Sequence, residues 1–210
     1  VGAYSTVYRS DDDGATWQSV PFAPRPKPSG ARPAKPAPQL GPDDMRADVS
    51  AEQPHLTAVV ADASGHLYVT AEAGHLYRSD DGGRSWGELD SPYEGSFFGA
   101  LPLAGDSLLV FGLRGHLYRS DDGGRHFARL DVATEALLAG AARLADGRVV
   151  IAGLEGTVLT SGDGGQHFTV RQQADRKGFD AVAPAGDGAV LCGEDGVRRI
   201  DLAAGREPGT

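Results

Sequence analysis

The sequence has one cysteine, Cys192, so no disulfide can form within the chain. It has no apolar run of about 18 residues, the length a membrane-crossing helix needs. Positive charge is scarce: 20 lysines and arginines face 29 aspartates and glutamates, a formal net charge of −9. Phosphate recognition requires clustered cations, so this balance argues against a nucleic-acid partner. Metal-ligand spacing is missing as well. The run Asp11-Asp12-Asp13-Gly14 has Arg9 where a calcium loop needs its first aspartate, and no acid closes it. His75 and His116 occupy matching places, as do His126 and His167, without H-x-x-x-H spacing. Packing or turn roles are expected for them, with no metal and no cofactor.

Glycine is plentiful, at 30 residues, and the hydrophobic fraction of 40% is enough for a sizeable core. Many short strands joined by tight turns fit this composition better than helices, so the expected class is all-β. One phrase is written four times: SDDDGATW from Ser10, SDDGGRSW from Ser79, SDDGGRHF from Ser120 and SGDGGQHF from Ser161. The last three starts are 41 residues apart, one propeller blade long, and a decayed unit, GVRRID, follows from Gly196. Within the phrase, the serine and the aspartate two residues on (Ser10 and Asp12, Ser79 and Asp81, Ser120 and Asp122, Ser161 and Asp163) can hold nearby backbone N–H groups. Gly14, Gly83, Gly124 and Gly165 supply the left-handed turn. The closing aromatics, Trp17, Trp86, Phe127 and Phe168, are expected to bury their rings between neighbouring sheets.

These phrases resemble the Asp-box, or BNR, repeat found in sialidases, sortilin-type receptors and the photosystem II assembly and stability factors. The wider context is AEAGHLYRSDDGGRSW at 71–86, SPYEGSFFGAL at 91–101 and FGLRGHLYRSDDGG at 111–124. It is similar to bacterial members of the last family and covers nearly all of the chain except 21–54. The resemblance implies a β-propeller of four-stranded antiparallel blades, cut from a larger parent of about seven blades. It also implies a non-catalytic scaffold that aids assembly or stability of a protein complex, at a periplasmic or cell-envelope location. The photosynthetic relatives present a basic arginine patch, whereas this chain is acidic outside one insertion. The alternative implied by the repeat is a sialidase-type glycosidase, which would need three arginines, a Tyr–Glu nucleophile pair and an Asp acid. Only Arg114 stands in an equivalent turn, and the adjacent Tyr93 and Glu94 would point to opposite sides of a strand.

The expected organisation is the end of a first blade at 1–20, whole blades at 55–90, 97–131 and 138–172, a partial blade at 179–202 and a tail at 203–210. Strands are expected at Phe97–Leu103, Ser107–Phe111, His116–Ser120 and His126–Leu130 in the clearest unit. Three whole and two partial blades do not close a ring, so an open arc with exposed edges is expected. Val1-Gly2 aligns with Phe111-Gly112, which suggests a chain incomplete at its N-terminus; no signal peptide is present in it. Residues 21–54 interrupt the period, and eight of the 13 prolines lie between Pro21 and Pro42. This loop is flexible or polyproline-like, carries the cluster Arg25, Lys27, Arg32 and Lys35, and could itself contact a partner domain.

Propeller topology places the Asp-boxes on one rim. The opposite rim receives the turns between second and third strands and the links between blades. Glu72, Tyr93, Glu94, Arg114, Glu155, Glu194 and Asp195 fall there and vary where the frame repeats, as expected of a binding face for a protein partner. A salt-bridge network joining Arg114 with Glu72 and Glu155 is the competing reading. Cys192 stands where an earlier unit has Ala152 in a buried strand, so a core thiol is expected.

Overall fold

The computed structural model describes residues 1–25 and 53–202. Among these, the strands are β1 (Val7–Arg9), β2 (Gln18–Val20), β3 (Leu56–Ala61), β4 (Leu67–Ala71), β5 (Leu76–Ser79) and β6 (Gly87–Glu88). They continue with β7 (Phe97–Pro102), β8 (Leu108–Gly112), β9 (Leu117–Ser120), β10 (Ala128–Leu130), β11 (Leu138–Arg143) and β12 (Val149–Gly153). The last are β13 (Thr157–Ser161), β14 (Thr169–Gln172), β15 (Phe179–Ala185), β16 (Gly188–Gly193) and β17 (Gly196–Ile200). The only helical pieces among the described residues are two single 3-10 turns, Glu72–Gly74 and Leu113–Gly115.

The architecture is an incomplete β-propeller. Three antiparallel four-stranded sheets (β3–β6, β7–β10, β11–β14) are flanked by a two-stranded sheet, β1–β2, and a three-stranded one, β15–β17. Each of the four larger sheets has a register shift near the start of its first strand, at Leu56/Ala58, Phe97/Gly99, Leu138/Gly140 and Phe179/Ala181. Such a bulge bends and twists the strand beside its neighbour. The first strands pack on one another in sequence and use small residues to do so: a Cβ on Gly140 would lie 2.8 Å from the Ala181 Cα of the next sheet.

The core lies between sheets. Leu109, Phe111 and Leu117 of one sheet meet Leu138, Val149, Ile151 and Leu159 of the next, all buried. The strand alternation that sends Leu109 and Phe111 forward sends Leu108 and Val110 back, onto Tyr68, Leu76 and Phe97. A polar latch accompanies two of these contacts: Arg78 donates to the Gly123 carbonyl at 2.8 Å, and Arg119 to the Gly164 carbonyl at 2.6 Å, each crossing to the next sheet.

Two expectations are corrected. Trp17 does not bury its ring; it is 62% exposed, against 3% for Trp86. Trp86 is covered by the β1–β2 sheet through Val7 and Val20, whereas no described sheet stands in front of Trp17. Cys192 is exposed, unlike its counterpart Ala152, because no described sheet follows β15–β17. The start of the insertion is also placed. Phe22 packs edge-on against Tyr77 at 4.9 Å, and Arg25 bridges to Gly87 on the outer edge of β6. The rest of it, with Lys27, Arg32 and Lys35, and the tail at 203–210 lie outside the described residues.

Candidate binding face

The four repeated serine–aspartate–glycine–aromatic boxes share one local geometry. In the second box the Ser79 hydroxyl donates to Asp81 Oδ1 at 2.8 Å and accepts from the Gly83 N–H at 2.9 Å. Asp81 in turn accepts from the Ser85 N–H at 2.8 Å and the Ser85 hydroxyl at 2.6 Å. Thr16 plays the Ser85 part toward Asp12, while His126 and His167 bring ring Nδ1 atoms to 2.6 and 2.7 Å from Asp122 and Asp163. The Thr16 hydroxyl, its N–H and Ser10 hold Asp12 down at about 2. The same kinds of hydrogen bond, led by Ser85, hold Asp81 well below the usual carboxylate range. The His126 and His167 N–H groups, then their rings, do so for Asp122 and Asp163. Asp12, Asp81, Asp122 and Asp163 are thus each occupied within their own turn.

The opposite rim is built from turns whose third residue is left-handed: Ala73 (φ 53°), Arg114 (φ 54°) and Glu155 (φ 57°). A residue with a Cβ resists that region, which costs roughly 1–2 kcal/mol. The following glycine is fixed by crowding. A Cβ on Gly115 would sit 1.9 Å from the Thr134 carbonyl, because the Gly115 N–H bonds to Ala136 of the link to the next blade. The turn is therefore clamped and Arg114 is presented outward, exposed.

Charges on this rim are paired in most blades. Glu72 lies 3.6 Å from the His55 ring, Glu155 accepts from Arg176 at 2.7 Å, and Glu194 accepts from the Gly178 N–H at 3.1 Å. Lys177 lies within 3.8 Å of Glu194 and 3.9 Å of Asp195. His75 is bound to Glu88 at 2.9 Å. In the β7–β10 sheet the matching pair is His116 and Arg129: β5 sets Glu88 opposite Tyr77, and β9 sets Arg129 opposite Tyr118. The carboxylate that would neutralise the histidine has become a second cation. Burial, then Arg129 and Arg114, push His116 below its ordinary range.

Arg114, His116, Arg129 and the 132–135 link with Glu135 line an open depression of about 760 Å³. Tyr93 stacks on the His116 ring, with centroids 4.0 Å apart. His116 Nδ1 is 3.0 Å from the Tyr118 hydroxyl, and the only ion pair on Arg129 among the described residues is a loose 3.9 Å contact with the exposed Asp131. Such a site can take an anionic group between two guanidinium ions and an apolar or planar group on the Tyr93–His116 stack.

Of the residues expected on this rim, Arg114 lines the depression and Tyr93 stacks on its His116. Glu72, Glu155, Glu194 and Asp195 are distributed over other blades with the partners named above. No network joins Arg114 with Glu72 and Glu155, so the salt-bridge reading is corrected: among the described residues Arg114 makes no ion pair. His116 and Arg129 were missed as binding residues. Their signal was the exchange of Glu88 for Arg129 between aligned units. The set a sialidase needs does not assemble at this depression, which holds two arginines.

No family model matches the chain, and no curated protein sequence matches it. Solved structures do. YCF48 from Cyanidioschyzon merolae superposes with a TM-score of 0.64 at 17% identity, covering 96% of this chain and 62% of its own. YCF48 bound to D1 peptide gives 0.60 at 15%, covering 97% and 63%. An ancestral GH74 enzyme gives 0.59 at 17%, but covers 69% of this chain and only 22% of its own. The chain thus spans about three fifths of the YCF48 chains, and at these identities the likeness is one of fold: it belongs among the β-propellers.

Proposed function

We propose that this chain is a non-catalytic propeller scaffold of the Asp-box type that binds a protein partner, and that it aids assembly or stability of a complex in the cell envelope. The observation that carries the reading is the β7–β10 depression, where Arg114, Arg129 and the Tyr93–His116 stack converge without a neutralising carboxylate at the Glu88-equivalent position. In a chain of net charge −9, a local concentration of cations selects an acidic segment. The guanidinium groups take side-chain or terminal carboxylates, and the aromatic stack takes a flat or aliphatic neighbour. A YCF48 propeller bound to a peptide supports a peptide as the occupant.

The test is fluorescence anisotropy with a library of acidic ten-residue peptides bearing free or amidated C-termini. A subset should bind, and Arg114→Glu with Arg129→Glu should remove that binding. Equal binding by the double variant would overturn the reading. So would turnover of a fluorogenic sialoside that disappears in Tyr93→Phe. Deleting 26–50 asks whether the proline-rich segment adds a contact, and fractionating cells that express the tagged protein asks whether it resides in the envelope.

A further inference from the structure

The outermost strand of a blade has a free edge to which an extended segment can add, and the chain already uses one such edge itself. Arg25 lies parallel to β6: its N–H donates to the Trp86 carbonyl at 2.9 Å, and its carbonyl accepts from the Glu88 N–H at 3.2 Å. Glu88 is able to donate outward because it stands opposite Tyr77 in a pair that exchanges no backbone bonds, while the next residue, Leu89, donates inward to Leu76. Phe22, three residues before Arg25, sets the approach by packing its ring on Tyr77.

In the next blade the same edge is bare among the described residues. Arg129 stands opposite Tyr118 as Glu88 stands opposite Tyr77, so the Arg129 N–H and the Phe127 carbonyl face away from β9. Neither takes a backbone bond from a described residue outside that pairing. The difference lies in the links. Tyr93 packs beside His116 and Tyr118 as Phe22 packs on Tyr77, but the link over 90–96 then returns to the start of β7, whereas the earlier one runs on to Arg25. Edge and depression meet in one residue, since Arg129 offers its N–H to the edge and its side chain lines the depression. β14 has an edge of the same form, but Val170 stands at the Arg129 position, opposite Leu159, and brings no charge to it.

We propose that an acidic peptide binds as an added strand on the outer edge of β10, parallel to it, with its carboxylate turned into the depression; this mode rests on the acidic-peptide reading and specifies the backbone that carries it. One peptide residue lies beside Ala128 as Arg25 lies beside Gly87. Its N–H donates to the Phe127 carbonyl and its carbonyl accepts from the Arg129 N–H. Paired strands turn their side chains to the same side of the sheet at matching positions, so the acid is the following residue, beside Arg129. The recognised unit is an extended pair: any residue with an N–H, which excludes proline, followed by Asp or Glu. The main chain supplies strength, and the two guanidinium groups supply the choice of acid.

The test takes the tightest peptide of the anisotropy library, finds the acid whose replacement by its amide weakens binding most, and methylates the backbone nitrogens one at a time. Methylation of the residue before that acid should weaken binding at least about tenfold, and methylation of the acid itself, whose N–H points off the far side, less than about threefold. Proline before the acid should abolish binding. By NMR amide exchange on the whole chain, the Arg129 N–H should slow at least about tenfold in saturating peptide, with the Val170 N–H unchanged. A peptide that still depends on Arg114 and Arg129 but tolerates every methylation and leaves Arg129 exchange fast overturns the edge mode while the acidic-peptide reading stands. Slowing at Val170 in place of Arg129 puts the strand on β14 and also overturns it. If no acidic peptide binds, that reading fails and the edge mode falls with it.

Discussion

The two rims of the arc are made by the same strands and differ in what their charges do. On the rim of the repeated phrases, Asp81, Asp122 and Asp163 are each satisfied inside their own turn by the serine before and the donor four residues after, blade after blade. On the other rim the clamped turn repeats, but the side chains it presents change from Ala73 to Arg114 to Glu155, and the neighbour of the histidine changes from Glu88 to Arg129. Repetition marks the groups that hold the sheets, and variation marks the groups available to a partner.

The division can be broken first at the aromatics. Trp86→Ala should cost about 3–5 kcal/mol in urea unfolding, because it empties a packed site between sheets. Trp17→Ala, in the same phrase but uncovered, should change stability by no more than about 0.5 kcal/mol. Equal costs would mean that the phrase stabilises through its turn alone. Next, Ser120→Ala leaves the Gly124 N–H without its buried acceptor, and the same assay should show a loss of about 1–3 kcal/mol with peptide binding intact.

On the variable rim the pattern should reverse. Arg114→Glu with Arg129→Glu should leave the unfolding midpoint nearly unchanged and weaken binding of an acidic peptide at least about tenfold, or 1.4 kcal/mol. A large fall in midpoint with binding retained would assign the two arginines to the frame.

The smallest effects are those of pH. The Asp-box carboxyls titrate lower in the folded chain than unfolded, so their stabilisation is complete above the unfolded value of about 4 and is lost as pH falls from there toward about 2. Asp12, held at about 2, completes its loss there, and Asp81, Asp122 and Asp163, held lower, extend the loss below that pH. His116, pushed down by burial and the two arginines, is neutral at pH 7. Its protonation below the ordinary histidine range of about 6.5 should strengthen acidic-peptide binding over an interval in which the Asp-boxes stay ionised. Binding and stability measured over the same pH series should therefore move at different pH values.

The succession of antiparallel sheets and the hydrogen bonding of the serine and aspartate in each repeated phrase were legible because they are local or repeat at a fixed interval. The four bulges were not, since a register shift depends on how first strands crowd around the axis. Thr16, Ser85, His126 and His167 share one role with different chemistry, and only their common position before the aromatic announces it. The exposure of Cys192 and Trp17 was misread because a strand pattern says which way a side chain points and nothing about what stands there. Arg129 was missed because its meaning lies in the strand beside it, opposite Tyr118, where the previous blade has Glu88.

Hydrogen–deuterium exchange of the chain with and without a bound acidic peptide tests the division of the rims most directly. The expected result is protection at 113–116 and 129–135 with the Asp-box turns at 79–86 and 120–127 unchanged. Protection confined to the Asp-box turns would contradict it.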